Sequence, residues 1–335
     1  MVQKLLISLD YELFFGNKTG SVSKCMIEPI NALVKVVERH GMKLSLFVDA
    51  GYLDCLKKHS LQYPVLLADF SVITQQLQSL KDKGHDVQLH IHPHWVDSVF
   101  NGTSWQLDTT RYRLHDFQKH EIAEIVARYK NILVDIVGDT VFSYRAGGWC
   151  MQPFGVIADA LHAEGIWLDS TVFTGGVSED SQRWFDFSKA PDMPFWRFDA
   201  DPNIDDKTGR FVEVPISSDR VSPLLFWKMA VIKKLTKGQH QPYGDGEAMK
   251  ANWQYYFKRL TSSTYSVVSI DGIKAGLLKR AWDRHLKGRG SDIFNIMGHP
   301  KAVTSYSLVQ LDRFLGSIKG VQACTFQDLK HLRPG

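Results

Sequence analysis

The chain has 335 residues, 44% hydrophobic and 23% charged, and 40 Lys and Arg against 36 Asp and Glu leave a net charge of +4. These values exclude a chain disordered throughout, and a charge this small and evenly spread argues against nucleic acid as a partner. The four cysteines, Cys25, Cys55, Cys150 and Cys324, show neither a CxxC pair nor metal-ligand spacing, as expected of reduced thiols.

The first apolar run, 5–9, is too short for a signal peptide and ends in acids, so a cytoplasmic location is expected. No apolar stretch approaches the length of a transmembrane segment. Further strands are expected at 44–48, 86–91, 141–144, 166–168, 211–214, 266–270, 293–297 and 321–325. Helical periodicity fills most of the gaps, at 28–40, 72–83, 117–137, 153–163 and 312–318. Gly41, Gly84, Gly138, Gly165 and Gly320 follow as stop signals. Repeated strand and helix predict a parallel sheet wrapped by helices.

No GxGxxG or Walker motif follows the first strand, so a doubly wound nucleotide fold lacks support. Polar residues recur where strands end, at Asp10, Asp49, His90, Arg145, Asp169 and His299. That placement favours a barrel. From about 176 to 265 the rhythm breaks into an aromatic-rich stretch, expected to be an elaboration of one domain spanning 1–335. Within it, 238–246 is the best candidate for a mobile lid. The apolar helix at 224–234, punctuated by lysines, suits the interior better than a membrane surface.

Three histidines alternate at His90, His92 and His94, with Pro93 between the last two. Histidines this close can share one cation where the backbone turns. Asp10-Tyr11-Glu12 places two acids on one face of the first strand's end. One carboxylate with two histidines makes a three-ligand open metal site, and the other is left as a base. Arg145, followed by Ala146-Gly147-Gly148, suits a charge held against a carboxylate. His299, between Gly298 and Pro300, is placed to protonate a leaving group.

Taken together, these motifs resemble the polysaccharide deacetylase (NodB-homology) family of metal-dependent hydrolases. The resemblance runs from Asp10 to His299. It implies a distorted, seven-stranded (β/α) barrel with a long insertion. Asp10-Tyr11-Glu12 resembles the acidic motif, with Asp10 as base and Glu12 as ligand, although the family's usual pair is two adjacent aspartates. Gly84-His85-Asp86-Val87 followed by His90 and His94 resembles the H-x-x-x-H motif, leaving His92 in reserve. Arg145 would orient Asp10, with Gly147 where the family has proline. Asp169 resembles the acid that tunes the catalytic histidine, and His299 the general acid.

The activity so implied is hydrolysis of an N-acetyl group on a sugar or glycan intermediate, with zinc the default among divalent metals. The oxyanion would be met by the metal and a backbone N–H near Tyr11 or Ala146. Two other readings are a hydrolase of a non-sugar C–N bond on the same fold and a sugar-binding protein without catalysis.

Overall fold

In a computed structural model, which describes residues 3–235, 238–249, 253–288 and 292–335, the apolar runs other than 266–270 become strands of one curled sheet. Seven of them run parallel: β1 (Gln3–Tyr11), β2 (Ser45–Asp49), β3 (Asp86–Ile91), β4 (Ser143–Ala146), β5 (Leu168–Asp169), β6 (Phe211–Glu213) and β7 (Ile293–Gly298). Their order around the sheet is β6-β5-β4-β3-β2-β1-β7. β2, β3 and β7 are buried along their whole length, as a parallel sheet covered on both faces requires. The strand Trp196–Phe198 hooks antiparallel onto β6, and Val321–Ala323 pairs with the first half of β1.

Helices α1 (Glu28–Arg39), α2 (Ala50–His59), α3 (Pro64–Asp82), α4 (Lys119–Val137), α5 (Ala158–Ala163), α6 (Pro223–Leu235), α7 (Trp253–Thr261), α8 (Leu278–Lys287) and α9 (Ser305–Ser317) complete the fold. α1 begins with Pro29 in its first turn and buries Ile30, Leu33, Val34 and Val37 on one side. α9 starts earlier than its apolar periodicity predicts, because Thr304 caps it. Ser307 N–H donates to Thr304 Oγ1 at 3.1 Å and Thr304 N–H to Ser307 Oγ at 2.8 Å. α2 has no counterpart among the expected helices. Among the described residues, no helix is long and apolar enough to cross a membrane.

The barrel is incompletely closed. Between β6 and β7 the chain crosses by irregular bonds, Ser217 N–H to Asn295 O at 2.9 Å and Val268 N–H to Ser217 O at 2.7 Å. The expected strand at 266–270 falls in this gap. Thr264–Val267 pairs antiparallel with Ser218–Val221 instead, and Ser269 bridges to β7 at Met297. The expected lid at 238–246 is strapped down: Tyr243 N–H bonds Val303 O at 2.9 Å, Gly244 N–H bonds Lys301 O at 3.1 Å, and Ser21 N–H bonds Asp245 Oδ1 at 2.7 Å. Of the expected elaboration, 236–237 and 250–252 lie outside the described residues.

Leu6, Ser8, Asp10 and Glu12 alternate onto the inner face of β1 and its extension. Below, Leu6, Phe47, Val212 and Phe326 form an apolar plug. The Arg145 guanidinium lies 4.0 Å above the Phe47 ring. The interior therefore passes from hydrocarbon to a buried cation to carboxylates at the C-terminal rim.

Candidate active site

The pleat turns Asp10 and Glu12 inward and Tyr11 outward, where the Tyr11 hydroxyl donates to Gln76 Oε1 at 2.8 Å. Both acids are buried. Arg145 Nη1 donates to Asp10 Oδ1 at 2.7 Å. Its other donors go to Ser8 Oγ at 2.9 Å and Ser170 O at 2.7 Å. Asn295 braces the same layer, accepting from Ser8 Oγ at 2.8 Å and donating to Ser170 Oγ at 3.2 Å. A buried cation with every edge bonded holds Asp10 in one orientation.

Glu12 is the hub. Its Oε2 lies 3.1 Å from His90 Nε2 and 2.7 Å from His92 Nε2. Its Oε1 accepts from Lys301 Nζ at 2.9 Å, and that ammonium also donates to Leu13 O. Burial opposes ionisation of Glu12, but Lys301, His92 and the bonds from both imidazoles outweigh it and hold the carboxyl well below its usual range. On the far side of His90, Nδ1 lies 2.8 Å from the Arg145 carbonyl. Only an N–H can bond that oxygen, so Nδ1 carries the proton and Nε2 faces Glu12. Burial also opposes a charge on His90, yet Asp10, Glu12 and Asp49 push its pKa up. The same acids favour any cation placed there.

Glu12, His90 and His92 offer ligand atoms that all lie within 4.8 Å of one another. Two imidazoles and a carboxylate are the donor set of an open catalytic site for a divalent transition metal. His94, expected as the second histidine ligand, does not join them. The backbone stays extended through His92, at φ −110° and ψ 95°, so His90 and His92 share a face. Pro93 then starts a tight turn that swings His94 away to stack on Trp95 and Tyr112, with ring planes 28° and 9° apart. Burial keeps His94 neutral, its pKa pushed well below the usual range, and neither ring nitrogen has a hydrogen-bond partner.

His299 follows β7 and faces the acids, its Nε2 3.6 Å from Asp10 Oδ2 and 3.8 Å from Glu12 Oε1. Asp271 holds it twice, accepting the His299 backbone N–H at 2.8 Å and lying 2.9 Å from Nδ1. Burial opposes protonation of His299, but Asp271, Asp10 and Glu12 outweigh it and raise its pKa. Asp169, expected to tune this histidine, does not touch it. It accepts from Thr171 N–H at 2.7 Å and hydroxyl at 3.1 Å and lies in register beside Glu213 on the neighbouring strand. Nor is the Ala146 N–H free for an oxyanion, since it donates to Thr171 Oγ1 at 2.9 Å.

Sequence reasoning missed Asp271 and Lys301. Asp271 stands directly after the expected strand 266–270, so the strand-end rule that found Asp10 also points to it. Lys301 lies two residues beyond His299.

Above these groups opens a cavity of about 340 Å³ walled by Phe15, Tyr112, Trp149, Phe173 and Phe185. Trp149 takes a left-handed φ of 62°, which costs a residue with a side chain about 1–3 kcal/mol. Its indole N–H is buried without a protein partner.

No family model matches the sequence, and no curated protein does either. Solved structures similar to the chain include polysaccharide deacetylases and family 4 carbohydrate esterases. A Mycobacterium smegmatis protein assigned to the polysaccharide deacetylases aligns over 92% of this chain and 77% of its own, with TM-score 0.47 and 14% identity. A family 4 carbohydrate esterase from Streptomyces lividans aligns over 98% and 95%, with TM-score 0.37 and 10% identity. A GH57-type branching enzyme from Pyrococcus horikoshii aligns over 98% and 70%, with TM-score 0.50 and 11% identity. At such identities the likeness shows the fold, and the chemistry has to be read from the side chains.

Proposed function

We propose that this protein is a metal-dependent amide hydrolase that removes an N-acetyl group from a sugar. The observation that carries the reading is the convergence of Glu12, His90 and His92 between two separately anchored groups, Asp10 on Arg145 and His299 on Asp271. A divalent ion held by Glu12, His90 and His92 would polarise the acetyl carbonyl and acidify a water. Asp10, fixed by Arg145, takes the proton of the attacking water. His299, with Nδ1 held by Asp271, presents Nε2 to the departing nitrogen and donates the proton that makes it a neutral amine. Lys301 offsets the charge of Glu12, so the carboxylate remains a donor to a cation and is less suited to accept a proton.

The cavity supports a sugar as the group carried. Its volume suits a small ring, and aromatic faces match the C–H faces of a pyranose.

The test is acetate release from N-acetylhexosamines by zinc-loaded and cobalt-loaded protein. Asp10→Asn and His299→Ala are each expected to lower the rate on the order of 10²–10⁴-fold while retaining metal. Acetate release undiminished in both variants would remove them from the mechanism.

A further inference from the structure

A second cavity, of about 810 Å³, adjoins the catalytic one, and Arg259 and Lys274 line both. It is mostly apolar, with Phe14 on the barrel side and Phe226, Met229 and Ala230 from one face of α6. The opposite face of α6 is also apolar and open to solvent, with Leu224 77%, Trp227 54% and Val231 50% exposed. α7 adds Trp253 and Phe257, 70% and 58% exposed. A surface helix normally keeps one apolar stripe and turns a polar face outward. α6 is apolar on both sides, and its exposed outer face departs from the interior position that its sequence suggests.

Lys274 and Arg259 place two cations in the lining that the cavities share. Burial and neighbouring Arg259 push Lys274 down to about 8, against the pull of Asp271, whose carboxylate is engaged with His299. An anion lying against this shared lining would be within reach of both cations. Sugar-sized space and an apolar chamber therefore adjoin each other at a lining that carries two cations.

We propose that the substrate is an amphiphile: an N-acetylated sugar joined through a phosphate-type anion to a long apolar chain. This rests on the hydrolase reading above. The sugar occupies the catalytic cavity, the anion meets Lys274 and Arg259, and the chain enters the chamber under α6. The exposed rows on α6 and α7 suit the lipid surface in which such a molecule resides, where Trp side chains commonly sit.

The experiment compares acetate release from three acceptors sharing one N-acetylhexosamine: the free sugar, its 1-phosphate, and a polyprenyl diphosphate-linked form in detergent micelles. The value of kcat/KM is expected to rise in that order. The chain should add on the order of 10²-fold, the worth of about four buried methylene groups. Lys274→Ala should lower the preference for the 1-phosphate over the free sugar. Ala230→Trp, which fills the chamber, should lower the preference for the lipid-linked form over the 1-phosphate, and Met229→Trp serves if the first variant fails to fold. Equal kcat/KM for all three acceptors would overturn the proposal and leave the hydrolase reading standing. If no acceptor releases acetate, the hydrolase reading fails, and tryptophan fluorescence titrated with polyprenyl phosphate micelles against empty micelles decides the remainder. Saturable binding weakened by Ala230→Trp supports the amphiphile, and its absence overturns it.

Discussion

Two acids separated by a single residue on a strand must share a face, so the inward turn of Asp10 and Glu12 is legible in the sequence alone. Arg145 against Asp10 follows from the motif resemblance rather than from the residues alone. The histidines are harder, because His92 and His94 are equally plausible as residue types, and the family spacing favours His94. What decides is where the extended backbone ends, and that depends on the packing of Trp95 and Tyr112 around the Pro93 turn. The partner of His299 differs from expectation for a similar reason: motif likeness points to Asp169, while the chain path places Asp271 at 2.9 Å. Asp271 acts as a positioning residue, through Nδ1 of His299. Asp271→Asn should lower kcat on the order of 10²–10³-fold with metal content and KM little changed. A rate like wild type, or a variant that loses metal, would contradict that role.

At the scale of elements, the site depends on how closely β4 approaches β3. A Cβ on Gly147 would lie 2.6 Å from the His92 ring and 2.7 Å from Ile91 O. The glycine in the arginine motif, where the resembled family has proline, is thus required by the neighbouring strand. Gly147→Ala should displace the His92 ring and weaken metal binding about 10–100-fold, measured by competition with a chelator. Unchanged affinity would show that the ring has room to give.

The adjacent strands β5 and β6 bring Asp169 and Glu213 together in a fully buried pair. Burial and Asp169 push Glu213 well above its ordinary value of 4.5. The folded chain then keeps a proton that the unfolded chain releases, so stability is full below that value and falls as pH rises toward the folded pKa. Glu213→Gln removes the titration. Its melting temperature should fall less than that of wild type between about pH 5 and about pH 8, and an identical fall would contradict the assignment. No sequence pattern announces this pair, because neither acid lies near the other along the chain.

For the whole molecule, alternating strands and helices foretell the curled sheet, and strand-end polar residues foretell the rim on which the site sits. The open seam between β6 and β7 has no such signal. The run 266–270 has a strand's composition, but Thr264–Val267 finds an antiparallel partner in Ser218–Val221, and tertiary pairing overrides local preference. The strapping of 238–246 is hidden for the same reason. Its glycines look permissive, yet a Cβ on Gly244 would meet Lys301 O and the Phe14 ring at 2.6 Å, so Gly244 marks close packing. On the metal-hydrolase reading, Glu12, His90 and His92, and not His94, hold one ion. Metal content measured by mass spectrometry after zinc reconstitution tests it most directly, on wild type, His92→Ala and His94→Phe. About one equivalent in wild type and His94→Phe, with none retained by His92→Ala, is the predicted result. Metal lost from His94→Phe but kept by His92→Ala, or absent from wild type, would contradict it.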